Sequence, residues 1–371
     1  MANVLSIVSY KIFPAKLGGQ KGIALFYKYL SELQNIVMVT VEENDPAFAH
    51  YTVLNVFSNS FFRYINIFYF FKIRRIIRKH QISHIIIEHP YYGWLGLLLK
   101  WFCGVKMIIH SHNIESLRFR TIGKWWWRIL WRYEYLVHNH ADLTFCITED
   151  DRQYMIRNFK IKPERLTVIT YGIELNMPPL QSIRDIASRS LREKHHISGN
   201  AKLFLFNGTL NYQPNLDAVN NILDTINPAF QTFGMPYKII ICGKGLPSSM
   251  NNLKAFENNN IIYAGFVEDI SEYFYGVDVF INPVMDGGGI KTKLVEALAS
   301  DLNAVSCRSG SIGVDPELCN GKLLLSEDGD WHGFVSQMLE AAKVKKDIPA
   351  TFFDTFYWGG IARKASGHIT M

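Results

Sequence analysis

Asp286-Gly-Gly-Gly-Ile-Lys-Thr-Lys-Leu-Val-Glu296-Ala-Leu-Ala299 sets three glycines, two lysines and a glutamate at the mouth of an apolar helical repeat. Gly287, Gly288 and Gly289 let backbone approach a ligand closely, and Ile290, Leu294, Val295 and Leu298 recur at the spacing of a helix packed on one face. The unpaired amides and the dipole at a helix start favour an anion. Lys291 and Lys293 add two full positive charges there, and Glu296 lies on the same face as Lys293. A diphosphate, its counter-charges and a carboxylate able to bind two ribose hydroxyls fit within one helical turn. A glycine triplet alone is weak evidence, since a solvated loop before an amphipathic helix reads the same way; the Lys-x-Lys-x-x-Glu continuation favours the ligand site.

Outward from this stretch the chain alternates short apolar runs with helix-length segments. The pattern predicts strands at Val4–Ser9, Ile36–Val41, Ile85–Glu88, Met107–His110, Leu143–Ile147 and Thr167–Ile169, then at Leu203–Phe206, Lys238–Cys242, Ile261–Tyr263, Asp278–Ile281, Ala304–Ser306 and Lys322–Leu325. Such a series predicts two doubly wound parallel sheets, and a length of 371 residues with 48% hydrophobic and 19% charged content suits two buried cores. Tyr171-Gly-Ile-Glu-Leu-Asn-Met-Pro-Pro179 is rich in breakers, so domains are expected over residues 1–172 and 201–350, with 173–200 as linker and 351–371 crossing back to the first domain. Ligands of open α/β sheets bind at the carboxyl ends of strands, which predicts a cleft between the two domains.

At this point the sequence resembles the retaining glycosyltransferases of GT-B fold, in the bacterial group-1 or family-four class. Four further stretches carry the resemblance in the family's order: Phe206-Asn-Gly-Thr-Leu-Asn-Tyr-Gln-Pro-Asn215, Ile240-Ile-Cys-Gly-Lys-Gly245, Tyr263-Ala-Gly-Phe-Val267 and Val277-Asp-Val-Phe-Ile-Asn-Pro283. The resemblance implies two Rossmann-like domains and transfer of a sugar from a UDP- or GDP-type nucleotide sugar to a glycan or lipid-linked saccharide, with retention of configuration, in bacterial surface-polysaccharide synthesis. It assigns donor binding to Gly208, Thr209, Gly265, Phe266, Val267, Gly287, Gly288, Gly289, Ile290 and Glu296, and stabilisation of the leaving diphosphate to Lys291 and Lys293. Many members have a second glutamate eight positions before the one matching Glu296, where this chain has Gly288. That change removes a carboxylate able to contact the donor sugar and keeps two alternatives open, a silent nucleotide-sugar-binding subunit and a GT-B epimerase or phosphorylase.

In the first half, Lys16-Leu-Gly-Gly-Gln-Lys-Gly22 follows the first strand, and the resemblance gives Gly18 and Gly19 to the donor. His110-Ser-His-Asn-Ile-Glu-Ser-Leu-Arg118 lies just past a strand; here the resemblance makes His112 catalytic and Glu115 and Arg118 candidates for the acceptor. His110-x-His112 and His138-x-His140 also invite a metal reading, but nothing in the sequence joins the pairs; neither a metal nor a cofactor is expected.

Residues 1–180 hold 22 Lys and Arg against 13 Asp and Glu, a balance of +9, and the remainder balances at −3. Phe68-Tyr-Phe-Phe-Lys-Ile-Arg-Arg-Ile-Ile-Arg-Lys79 and Lys124-Trp-Trp-Trp-Arg-Ile-Leu-Trp-Arg132 set rings among cations, a pattern that suits the headgroup layer of an anionic membrane. No nucleic-acid-binding module accompanies the basic patch, so nucleic acid is not an expected partner. Five cysteines without a C-x-x-C pair suit a reduced compartment, the start reads as a core strand rather than a signal peptide, and the longest apolar run, Trp94–Ile109, is interrupted by Lys100 and Lys106. The expected location is the cytoplasm, at the inner face of the cytoplasmic membrane.

Overall fold

A computed structural model of the chain describes residues 1–16, 18–286 and 289–370. It divides into two compact units, one of residues up to Glu174 together with the C-terminal segment from Thr355, the other Leu175–Asp354.

The first unit is a parallel sheet of β1 (Asn3–Ile7), β2 (Asn35–Val41), β3 (Thr52–Phe57), β4 (His84–Glu88), β5 (Lys106–Ser111), β6 (Leu143–Cys146) and β7 (Leu166–Val168). Its order is β3-β2-β1-β4-β5-β6-β7, so the winding reverses between β1 and β4. The strands are apolar on both faces, with Ile85, Ile86 and Ile87 fully buried, as expected of a parallel sheet covered on each side by helices. β3 is the strand that the apolar-run pattern missed: it forms the sheet edge, and Asn55 interrupts its hydrophobic sequence. Segment 351–371 supplies helix Trp358–Thr370, which packs on helix Gly18–Leu30. It is tied in by backbone bonds from Ile173 N to Phe356 O at 2.7 Å and from Trp358 N to Ile173 O at 3.0 Å. A Cβ on Gly172 would lie 2.4 Å from the Trp358 ring, so glycine alone allows this approach.

The second unit contains β8 (Lys202–Asn207), β9 (Tyr237–Cys242), β10 (Ile261–Gly265), β11 (Val279–Asn282), β12 (Asn303–Cys307) and β13 (Leu323–Ser326) in the parallel order β10-β9-β8-β11-β12-β13, with reversal between β8 and β11. Within stretch 173–200, read from sequence as linker, the structure has helix Gln181–Lys194, packed on helix Ser271–Gly276 of the same unit. Ser190 Oγ donates to Glu272 at 2.6 Å, and Arg184 pairs with Asp301 at 2.7 Å.

Candidate functional site

The glycine-rich turns of the second unit all sit at the carboxyl ends of its strands, on both sides of the winding reversal, where open α/β sheets hold ligands. Three turns are stitched together by backbone: Gly208 N donates to Cys242 O at 3.1 Å, Leu210 N to Lys244 O at 2.8 Å, and Gly243 N to Gly265 O at 2.8 Å. A Cβ on Gly243 would sit 1.9 Å from the Gly208 carbonyl oxygen, so the turns after β8 and β9 depend on a glycine there. Asn215 Nδ2 holds the Thr209 carbonyl at 3.0 Å. Beyond β10, Gly265 has φ +68° and Phe266 is 69% exposed. That ring is available as a face for a flat ligand; Val267 is half-buried beside it.

Past β11 the chain enters stretch 286–299. Gly287 and Gly288 lie outside the described residues; Gly289 has φ +72°, and Ile290 is half-buried. Lys291 caps the start of helix Thr292–Ala299, whose Leu294, Val295 and Leu298 are fully buried. The helix therefore begins two residues later than the repeat from Ile290 implied. Burial lowers the Lys291 pKa, opposed by Asp286, so its ammonium is a partly desolvated cation that an anion would stabilise. Lys293 Nζ donates to Glu296 Oε2 at 2.7 Å, the same-face pairing expected from their spacing.

In the first unit the loop after β1 leads into helix Gly18–Leu30, where the Gln20 side chain accepts from Lys16 N at 2.9 Å and a Cβ on Gly19 would meet nothing within 4 Å. At the reversal between β1 and β4 the structure assembles a group that the sequence did not announce. Glu88, the last residue of β4, is fully buried; its Oε1 accepts from Tyr27 at 2.6 Å and from His110 Nδ1 at 3.0 Å, and its Oε2 from His112 Nε2 at 2.5 Å. Burial would raise the Glu88 pKa, but the attraction and hydrogen bonds of His110 and His112 outweigh it and hold the carboxyl well below the usual range. Burial lowers the His110 pKa, opposed by the charge and hydrogen bond of Glu88.

His89 forms a second pair. Its Nδ1 lies 3.0 Å from Glu115 Oε1 and its Nε2 3.2 Å from the Tyr10 hydroxyl, while Glu115 Oε2 accepts from Tyr91 at 2.8 Å and Arg118 at 3.0 Å. Against its burial, the bonds of His89 and Tyr91 and the charge of Arg118 bring the Glu115 pKa down to about 2. His89 has φ 61° and ψ 158°, a region that few residues other than glycine enter, and such strain persists where surrounding contacts impose it. Its ring stacks on His112 at 4.5 Å between centroids, and His112 lies tilted by 40° against His110 at 4.4 Å. Helix Glu115–Thr121 starts against Glu134, whose carboxylate accepts from Glu115 N at 2.8 Å and Ser116 N at 2.9 Å.

His112, Glu115 and Arg118 are thus brought together, as are Lys291, Lys293 and Glu296. Glu88 and His89 are additions; the signal for them was a glutamate and a histidine closing an apolar strand in Ile85-Ile-Ile-Glu-His-Pro90. Glu88, His110 and His112 are also a group able to hold a metal ion, with ligand atoms within 4.8 Å of one another, but the atoms that face one another are engaged in the bonds above. His138 bonds instead to Thr144 and His140 to the Leu136 carbonyl, so the two His-x-His pairs do not combine. An Asp-x-Asp triplet, a spacing that can chelate a divalent ion, occurs at Asp328-Gly-Asp330. Both carboxylates hold backbone, Asp328 at Ser309 N and Asp330 at Gly333 N.

Residues 18–177 match Glycosyltransferase Family 4, and residues 201–343 match Glycosyl transferases group 1. A glycosyltransferase from Rickettsia africae ESF-5 is similar in structure, with a TM-score of 0.73 at 15% identity over 100% of this chain and 98% of that one. HepE of Anabaena in complex with UDP has a TM-score of 0.71 at 14% identity over 100% of both chains. WaaG, a glycosyltransferase involved in lipopolysaccharide biosynthesis, has 0.66 at 14% over 99% of each. No curated protein matches the chain by sequence. Matches to both halves and a pair of parallel-sheet units with GT-B neighbours lead to one assignment: the chain belongs to the group-1 glycosyltransferases of GT-B fold.

Proposed function

We propose that the protein transfers a glycosyl unit from a UDP- or GDP-type nucleotide sugar to a glycan or lipid-linked saccharide, with retention of configuration and without a metal ion, in the building of a bacterial surface polysaccharide. The observation that carries this reading is the Gly289–Glu296 stretch at the winding reversal of the second sheet, with a desolvated Lys291 at a helix start and Lys293 beside Glu296. HepE binds UDP and UDP-glucose in structures of the same fold, which supports a uridine-type donor. Glu296 takes the ribose hydroxyls, Phe266 and its neighbours take the base, and the two lysines with the glycine turn take the diphosphate.

In the reaction the bond from the sugar C1 to the diphosphate oxygen breaks as a bond from C1 to the acceptor oxygen forms on the same face. The departing phosphate oxygen receives the acceptor proton. Negative charge grows on the diphosphate, so fixed cations and amides lower the barrier there. His112 contacts a donor-sugar hydroxyl, and Glu115 with Arg118 faces the acceptor.

The basic first unit carries the acceptor to the reaction from a membrane surface. Phe61, Phe62, Ile65, Phe68 and Phe71 are each 60% exposed or more, Phe102 joins them through a ring contact with Phe70, and Tyr69, Ile73 and Ile77 anchor the helix below. Apolar rings above and cations beside them support peripheral contact with anionic lipid at the cytoplasmic face. No helix among the described residues is long and apolar enough to cross a membrane.

The reading is tested by calorimetry with UDP, GDP and their sugars, on the wild type and Glu296→Gln. Loss of a charge-assisted bond to the ribose should weaken nucleotide binding by about 1.5–3 kcal/mol. Unchanged affinity in the variant, or no nucleotide bound by the wild type, overturns it.

A further inference from the structure

Glu88 lies one layer behind His112. Its carboxylate is fully buried and receives Tyr27, His110 and His112 at 2.6, 3.0 and 2.5 Å. An ionised carboxylate offers acceptors only, so each ring nitrogen facing it must carry a proton. That fixes His110 as the Nδ1–H form and His112 as the Nε2–H form. The strained His89 backbone follows directly, and the His89 ring closes the stack over His112.

We propose that Glu88 is the positioning residue of this site: by accepting from both rings at once it holds His112 as the Nε2–H tautomer, presenting Nδ1 of that ring as a hydrogen-bond acceptor for a hydroxyl of the bound sugar. The assignment of the sugar rests on the transferase reading; the assignment of the tautomers does not. A ring fixed in orientation and tautomer by a carboxylate behind it meets its ligand without first reorganising.

Glu88→Gln keeps size but replaces two acceptor oxygens by one acceptor and one donor, so the amide cannot accept from both rings. One of the two histidines must then change tautomer. Long-range proton–nitrogen correlation spectra of the 15N-histidine-labelled full chain read this directly. The wild type should show Nδ1–H at His110 and Nε2–H at His112, and the variant should show one of them reversed. With a nucleotide sugar and acceptor that the wild type turns over, kcat should fall about 10- to 100-fold, as for other residues that orient a ligating or catalytic histidine, with donor KM within about threefold. Wild-type rings in any other tautomers overturn the proposal without any variant having to fold. So does a Glu88→Gln protein in which both tautomers persist, or in which one reverses and turnover stays at the wild-type level. A wild type that transfers no sugar but has the stated tautomers refutes the transferase reading and leaves the geometry of Glu88 intact.

Discussion

Glu134→Gln isolates the carboxylate that holds the helix carrying Glu115 and Arg118. Glu134 is fully buried, and burial raises its pKa from 4.5 to about 7, although the bonds from Ser116 and Glu115 pull the other way. A group with a raised acid pKa binds its proton more tightly in the folded chain than in the unfolded one. The folded state therefore holds more protons between these values, and stability falls as the pH climbs through this window. At about 1.4 kcal/mol per pH unit, the rise corresponds to about 3 kcal/mol lost between pH 4.5 and 7.5. Glutamine is neutral throughout and can still accept from the helix start, so the difference between variant and wild type should move by about 3 kcal/mol in favour of the variant across that range. Every other titrating group cancels in this difference. Seven of the eight tryptophans lie in the first unit, so urea unfolding followed by tryptophan emission reports on the unit that contains Glu134. The urea midpoint of the variant relative to wild type should rise by about 1–3 M from the lower to the higher pH. A midpoint difference that does not change with pH would refute the reasoning, and would mean that Glu134 titrates as an ordinary glutamate.

Lys291→Ala and Lys293→Ala should each lower kcat more than they raise the donor KM, since charge grows on the leaving diphosphate; wild-type turnover in both would make these lysines ordinary surface cations. Transfer should persist in excess chelator, and complete loss restored by magnesium or manganese would contradict a metal-free site. Reversing Arg74, Arg75 and Arg78 to Glu should release the protein from anionic vesicles in a flotation assay while nucleotide binding stays intact, and wild-type binding should weaken as salt rises. Equal partitioning onto neutral vesicles would exclude the electrostatic part of that contact.

The candidate site of stretch 286–296 could be proposed from sequence because it is local. Turn glycines, lysines and the carboxylate of residues 286–296 lie within a few positions of one another, and twelve of the thirteen strands among the described residues announced themselves as apolar runs. The histidine site was legible only in part. His112, Glu115 and Arg118 share one segment, but Glu88 reaches them because β4 lies beside β5, and Tyr10 and Tyr27 because β1 lies on the other side of β4. Sheet order is set by which helices cover which strands, and no short window of sequence contains it. The stretch read as a linker shows the converse: its breakers at Pro178 and Pro179 are real, yet Ala187 and Leu191 pack on the second unit, and the helix follows its own apolar face.

The return of helix Trp358–Thr370 to the first unit gives the chain an order of assembly. A ribosome releases the sheet of the first unit early, but the helix that lies against Gly18–Leu30, and the Trp358 ring that fills the space over Gly172, emerge only after the whole second unit. The second unit is continuous and can close as soon as it emerges. The first must wait, with one flank of its sheet layer open, until residues 358–370 have followed. A chain that stops short of residue 358 should therefore lose the integrity of its first unit, while the second unit folds as before. Quality control that senses an unfinished first unit would in this way be testing whether residues 358–370 were made.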